Sequence, residues 1–218
     1  MFYLARTPWW LRALYRHCTW SMPGSGKHIY LSFDDGPHPE ITPFVLDELK
    51  KYGAMATFFC IGKNVQAFPD IYKRIIAEGH TVGNHSFNHL NGWNTKNEEY
   101  LEDIAKAGIY IESNLFRPPY GKITWYQQQQ LSKPRFRLQT VMWSVLSGDF
   151  DIGITPSKCL DNVLKNTKAG SIVVFHDSEK AADRMRYALT GTLEHFRNKG
   201  FEFKKIEWKD DLKKSGPG

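Results

Sequence analysis

The sequence is poor in cysteine, with Cys18, Cys60 and Cys159 alone in 218 residues. They lie far apart, and no CxxC pair is present to hold a metal or run redox chemistry. An odd number cannot close a complete disulfide set, so nothing here demands an oxidising compartment. Cys60 ends the apolar run 54–60, where a buried, inert thiol is expected. No stretch approaches the ~18 consecutive apolar residues of a membrane-spanning helix. A secretory core of ~7–15 uninterrupted apolar residues is missing too, because Arg6, Arg12 and Arg16 break the N-terminal pattern. These absences predict a cytoplasmic or membrane-peripheral protein. Residues 28–208 contain no internal repeat, low-complexity stretch or linker, so they are read as one domain.

What is present describes a globular chain. Hydrophobic residues make up 41% and charged residues 24%, enough for a sizeable core under a solvated surface. Lys and Arg number 29 against 23 Asp and Glu, a net charge of +6. That balance admits a nucleic acid, a membrane surface or an acidic polymer as partner. No recognition motif or concentrated basic stripe supports nucleic acid. The seven Trp suit a carbohydrate binder and a packed core equally.

The N-terminal segment, 1–24, is basic and amphipathic. Thr7-Pro8 resembles an N-cap and first-turn proline, and Trp10, Leu14 and Cys18 then repeat at helical spacing. Two readings follow. Its apolar face packs on the main domain, which is favoured, or residues 7–20 touch a membrane surface, which basic charge and Trp would suit.

From His28 to Trp208 strand-like and helix-like segments alternate. Strands are predicted at 28–33, 54–60, 80–84, 115–117, 136–143, 171–176 and 201–208. Helices are predicted after Thr42-Pro43 (inner stripe Val45, Leu46, Leu49) and after Phe68 (Ile71, Ile75 and Ile76 inward). Others follow a capping box at Thr95–Glu98, run over 123–131, open after Thr155-Pro156, and run over 181–198. Strict alternation implies parallel strands joined by right-handed crossovers. The fold class is therefore α/β, a single-domain, distorted (β/α)7 barrel; periodicity alone leaves an open doubly wound sheet standing. The main domain is placed at 25–209 and a frayed tail at 210–218.

Polar residues collect just after the strands, the rim where β/α barrels build their active sites. Asp34-Asp35-Gly36-Pro37 follows the first strand and His85 and His89 the third. Arg117 and Tyr120 follow the fourth, Trp143, Asp149 and Asp151 the fifth, and His176-Asp177 the sixth. One helical turn between His85 and His89 would aim both rings at one ion, and two His with one carboxylate form a catalytic zinc set. Singly, each of these residues is as well explained by a capped turn or a core ion pair. Their coincidence on one rim is what those readings leave unexplained.

Five ordered segments then carry a resemblance: Ser-Phe-Asp-Asp-Gly at 32–36, His-Ser-Phe-Asn-His at 85–89, Arg-Pro-Pro-Tyr-Gly at 117–121, the 143–149 region and Val-Phe-His at 174–176. The chain resembles the polysaccharide deacetylases, the NodB homology family or carbohydrate esterase family 4. The resemblance implies metal-dependent removal of acetyl groups from sugars. It casts Asp34 as general base, Asp35, His85 and His89 as ligands of a divalent metal (Zn2+, with Co2+ or Ni2+ also admitted), and Arg117 as the partner of Asp34. His176 becomes the general acid with Asp149 orienting it, and the backbone N–H of Tyr120 the oxyanion donor. Tyr120, Trp143, Phe150 and Val174 are cast as substrate contacts, while Trp93 and Trp125 are weaker sugar platforms. Asp151 and Asp177 are taken as structural.

Departures in two of the motifs concern substrate preference more than catalysis. Leu146 stands where the fourth motif usually has Asp and Phe150 where it has Trp, and Val174 replaces the usual Leu. The leading expectation is an N-deacetylase acting as a monomer on N-acetylhexosamine units of a peptidoglycan or chitin-like glycan. An O-acetyl esterase acting on a polysaccharide such as xylan, and a silent metal-containing glycan-binding module, are the alternatives. No nucleophile suits a covalent route, since neither Ser32 nor Ser86 lies in a Gly-x-Ser-x-Gly elbow.

Overall fold

The structure, a computed structural model, describes residues 4–22, 24 and 26–207. The tail at 210–218, the Trp208 end of the last predicted strand and the first three residues of the N-terminal segment lie outside the described residues.

Seven parallel strands form a continuous curled path in the order β5-β4-β3-β2-β1-β7-β6. The central strands are β1 (His28–Asp34), β2 (Ala56–Cys60), β3 (Thr81–Asn84) and β7 (Ile172–His176). β2 is buried at every position, as expected of a parallel strand covered on both faces. The flanking strands β4 (Leu115–Phe116), β5 (Gln139–Thr140) and β6 (Val145–Leu146) have two residues each. β8 (Glu202–Phe203) lies off this path and pairs with the start of β1.

The predicted barrel class holds, but the strand census differs from the sequence reading. The predicted 136–143 strand is reduced to Gln139–Thr140, because beyond Val141 the backbone bonds elsewhere, Met142 to the Thr19 carbonyl and Ser144 to the Ile172 carbonyl. Val145–Leu146, which no periodicity marks, takes the place at the end of the path.

Helices cover the outside of the sheet. α1 (Trp9–Leu14) belongs to the N-terminal segment. In α2 (Ile41–Lys51), Val45, Leu46 and Leu49 are fully buried, as their spacing predicts. A short α3 (Gly62–Ala67) precedes α4 (Pro69–Ala77). In α4 the inward pair is Tyr72 and Ile75, whereas Ile76 is exposed, since successive helical positions are about 100° apart and both cannot face the core. α5 (Asn97–Ala107) lacks the predicted capping box, because Thr95 Oγ1 bonds the Asn91 carbonyl instead. The box stands instead at the start of α6 (Trp125–Leu131), between Thr124 and Gln127. α7 (Pro156–Asn166) is capped by Thr155 as expected, and α8 (Ala182–Asn198) follows.

β5 and β6 end the path and are not paired with each other among the described residues. The N-terminal segment lies along both. Thr19 pairs with Val141 and Arg6 with Val145. Thr7 does not cap α1; its N–H donates to the Ser144 carbonyl at 3.1 Å and its hydroxyl to the Trp143 carbonyl at 2.8 Å. Cys18 and Trp20 bury against Met142, with Leu11, Tyr15 and Trp143 around them. The segment therefore packs on the domain, but by a different face than predicted. Its helix stops at Leu14, so the Trp10–Leu14–Cys18 stripe is broken, and Trp10 and Leu14 point to solvent.

Candidate active site

Asp34 ends β1 and Asp35 follows it with φ +85°. The turn is held from beneath by Asp177, whose carboxylate accepts the Gly36 N–H at 3.0 Å and the Thr42 hydroxyl. The Asp177 N–H donates back to the Asp34 carbonyl at 3.1 Å. Only glycine fits at 36, since a Cβ would sit 2.1 Å from Asp177 Oδ2. Burial pushes the Asp177 carboxyl up to about 7, outweighing the Thr42 hydrogen bond.

Asp34 is buried, and its Oδ1 meets Arg117 Nη1 at 2.7 Å. Arg117 has no exposed surface at all. Its remaining contacts run from Nη1 to Ser32 Oγ (2.8 Å), from Nε to the Val141 carbonyl (3.1 Å) and from Nη2 to the Met142 carbonyl (3.1 Å). The guanidinium also lies 4.0 Å from the Phe59 ring centroid. A planar five-donor fork is the one side chain that can serve all these acceptors together.

His85 and His89 do come together with Asp35, though not by the helical turn their spacing suggests. Residues 85–89 form a tight irregular turn with positive φ at Ser86 and His89. Asp103 on α5 holds this turn, accepting the N–H groups of Phe87 and Asn88 at 2.9 Å each. The ligand atoms of Asp35, His85 and His89 all lie within 4.8 Å of one another. Asp35 Oδ1 is 3.2 Å from His89 Nε2 and 3.8 Å from His85 Nε2.

The donor set fits a divalent cation. Buried Asp35 Oδ1 has no hydrogen-bond partner, and the Asp35 carbonyl is steadied by Asn64 Nδ2 at 2.7 Å. His85 Nδ1 is 2.7 Å from the Arg117 carbonyl, which can only accept, so Nδ1 carries the proton and Nε2 presents a lone pair to Asp35. Burial holds His85 down at about 4, which keeps the ring neutral. Burial raises the Asp35 carboxyl, but the adjoining His89 imidazole, with His176 and His85 nearby, outweighs it and holds the group well below the usual carboxylate range.

Across the rim, Asp149 is fully buried and takes His176 with both oxygens: Oδ1 accepts Nδ1–H at 2.7 Å and Oδ2 the backbone N–H at 2.7 Å. The Nε2 atom of His176 is thereby left for the site. Burial pushes this imidazole down, yet the Asp149 charge and hydrogen bond, with Asp35 and Asp34 behind, raise it to about 10. The Phe150 ring meets His176 edge-on at 5.3 Å between centroids.

Tyr120 stands 59% exposed with φ +60°, its ring against His89 at 4.6 Å. Trp143 lies under the same loop, so close that a Cβ on Gly121 would come within 2.6 Å of its ring. Val174 is wholly buried in β7 opposite Leu146, which places it behind the rim rather than on an open surface. Trp93 and Trp125 are exposed, with Trp93 Nε1 bonded to the Ile123 carbonyl. The Asp151 carboxylate accepts the Gly153 N–H in a surface turn.

Residues 21–137 match the family model described as polysaccharide deacetylase. The chain belongs to the polysaccharide deacetylase family. It is 37% identical over 193 residues to a peptidoglycan-N-acetylglucosamine deacetylase of Bacillus cereus, covering 86% of this chain and 90% of the relative. A chitooligosaccharide deacetylase of Azorhizobium caulinodans is 35% identical over 156 residues, 68% of this chain and 73% of that one. Among solved structures, that of the Bc1960 peptidoglycan N-acetylglucosamine deacetylase with 4-naphthalen-1-yl-N-oxidanyl-benzamide superposes with a TM-score of 0.83 at 31% identity. It covers 92% of this chain and 95% of the other. This polysaccharide deacetylase thus keeps the family's barrel. Nothing in its sequence singles out Asp103 or Asn64; the one signal for Asp103 is a carboxylate on the buried face of an amphipathic helix.

Proposed function

We propose that this deacetylase hydrolyses the N-acetyl groups of N-acetylhexosamine units in a glycan, with peptidoglycan or its fragments as the first substrate and chitooligosaccharide as the second. The observation that carries the reading is the convergence on one rim of three units: Asp34 with Arg117, Asp35 with His85 and His89, and Asp149 with His176. Relatives bearing those substrate names over most of the chain support the choice of polymer.

Asp35, His85 and His89 would hold the metal, Zn2+ by donor chemistry, with Co2+ or Ni2+ also suited to imidazole and carboxylate. When bound, a divalent ion of this kind lowers the pKa of water to about 7 and polarises a carbonyl. Asp34 takes the proton of the attacking water, and Arg117 fixes the carboxylate through Oδ1. The Tyr120 N–H makes no hydrogen bond among the described residues and is turned by the positive φ of its loop. It donates to the developing oxyanion, where one fixed donor contributes about 3–4 kcal/mol. His176 gives its Nε2 proton to the leaving nitrogen, with Asp149 holding the ring and its charge. Phe150 and Trp143 supply the apolar walls near the acetyl group, with Val174 and Leu146 filling behind.

The test is acetate release from peptidoglycan fragments and from chitooligosaccharide. Chelation and Asp34→Asn should each abolish it, and Zn2+ should restore the chelated enzyme. A fully metallated protein that frees no acetate from any acetylated amino sugar would overturn the proposal. Release from acetylated xylan alone would mark an esterase instead.

A further inference from the structure

The outer face of the N-terminal segment plays no part in the barrel or the rim. Trp9 is 80% exposed, Trp10 55%, Leu14 69% and Leu4 48%, an unusual density of large apolar side chains on one short stretch. The opposite side of the same stretch is anchored, since Leu11, Tyr15, Cys18 and Trp20 pack on Met142 and Trp143. The exposed rings are therefore held out on a fixed base.

Charge on this stretch has one sign. Arg6, Arg12 and Arg16 are its basic residues, and no Asp or Glu occurs before Asp34. Arg6 and Arg12 line one cleft of about 310 Å3 together with Thr7, Pro8 and Trp9. The Nε of Arg12 is buried there without a hydrogen-bond partner. Burial and then the charge of Arg6 both work against the Arg12 cation, so two like charges share a cleft that holds no counter-charge among its lining residues. A buried donor without an acceptor is costly, and an anion in this cleft would satisfy it.

We propose that residues 4–17 form a docking face for a membrane surface rich in anionic lipid. A lipid phosphate sits between Arg6 and Arg12, and Trp9, Trp10 and Leu14 enter the interfacial layer. Tryptophan is favoured at that depth, and a basic, aromatic, one-sided segment is what such a surface retains. A soluble phosphate would engage the arginines but leave the two indoles in water. A second copy of the chain would have to set its own arginines against these. The bilayer is the occupant that meets both halves of the face. No helix among the described residues is long and apolar enough to span a membrane.

The test is co-sedimentation of the full chain with phosphatidylcholine vesicles, with and without phosphatidylglycerol. Binding is expected only with the anionic lipid and should weaken with salt. Arg6→Gln with Arg12→Gln should lower vesicle affinity by about 25-fold, roughly fivefold for each charge at the surface. Trp9→Ala with Trp10→Ala should lower it by about tenfold or more, while the melting temperature stays near wild type because both rings are exposed. Four results would overturn the proposal. One is absence of binding to anionic vesicles, and another is binding untouched by both double substitutions. The third is saturable binding of inorganic phosphate by a chain that ignores vesicles. The last is a concentration-dependent dimer in sedimentation velocity that Trp9→Ala with Trp10→Ala abolishes.

Discussion

Arg117→Met should test the core of the site more sharply than any rim substitution. Arg117 is wholly buried, and its loss leaves the Asp34 carboxylate in the interior without its cation. Removing one partner of a buried ion pair typically costs about 3–5 kcal/mol. The Val141 and Met142 carbonyls also lose a buried donor, at about 1–3 kcal/mol for each group that relaxation leaves unpaired. Against a total stability of about 5–15 kcal/mol, the variant should be close to unfolding. Arg117→Lys keeps the charge but not the planar fork, and about 2–3 kcal/mol is expected. The discriminating measurement is a cycle with Asp34→Asn, followed by urea melts under chelation so that metal binding does not add to stability. In the Asp34→Asn background Arg117→Met should cost about 2 kcal/mol less than in the wild type, because no carboxylate is stranded. If the two substitutions simply add, or if Arg117→Met melts within about 1 kcal/mol of wild type, the buried pair does not hold the site together.

The Asp149–His176 pair should show itself in pH. In the chelated protein, Asp149→Asn should drop the His176 titration from about 10 to near or below its ordinary 6.5, because burial then prevails, and NMR of the imidazole would follow it. A raised imidazole value stabilises the fold fully below 6.5 and fades as pH climbs through about 10, so Asp149→Asn should cost most stability in acid and least in alkali. Asp103→Ala unties two N–H groups from the 85–89 turn and should weaken metal affinity by about tenfold, measured by competition with a chromophoric chelator. Asp177→Ala frees Gly36 and Thr42, and thermal melts should fall by an amount equivalent to about 2–4 kcal/mol. If His176 is an acid for an amine leaving group, His176→Ala should damage amide hydrolysis more than hydrolysis of an acetyl ester, since an alkoxide leaves more easily than an amine.

The sheet's centre was legible from sequence because its strands are long, apolar and bounded by helices with clear stripes. Val45, Leu46 and Leu49 illustrate this. The flanks were not, since a two-residue strand such as Val145–Leu146 has no periodicity to read. Thr95 and Thr124 show a second limit: both precede a Glu or Gln three residues on, and only the fold decides which hydroxyl finds a backbone N–H to accept. The site's inventory was readable because Asp34, Asp35, His85, His89, Arg117, Asp149 and His176 each end a strand or come soon after one. How the histidines meet was not readable, because positive φ at Ser86 and His89 replaces the helical turn their spacing implies. Asp103, which braces the 85–89 turn, and Asn64, which steadies Asp35, lie on helices where a polar residue carries no motif of its own.

The N-terminal segment has one further consequence, which concerns the sheet's margins. The Thr140 and Ser144 carbonyls and the Met142 and Leu146 N–H groups all bond to Ala5, Thr7 or Thr19. Without that strap, two strand edges would stand open side by side, each a template for pairing with another chain. Removing residues 1–22 should therefore do more than loosen the fold. It should turn a dispersed protein into one that self-associates edge to edge, so the same short stretch guards against aggregation.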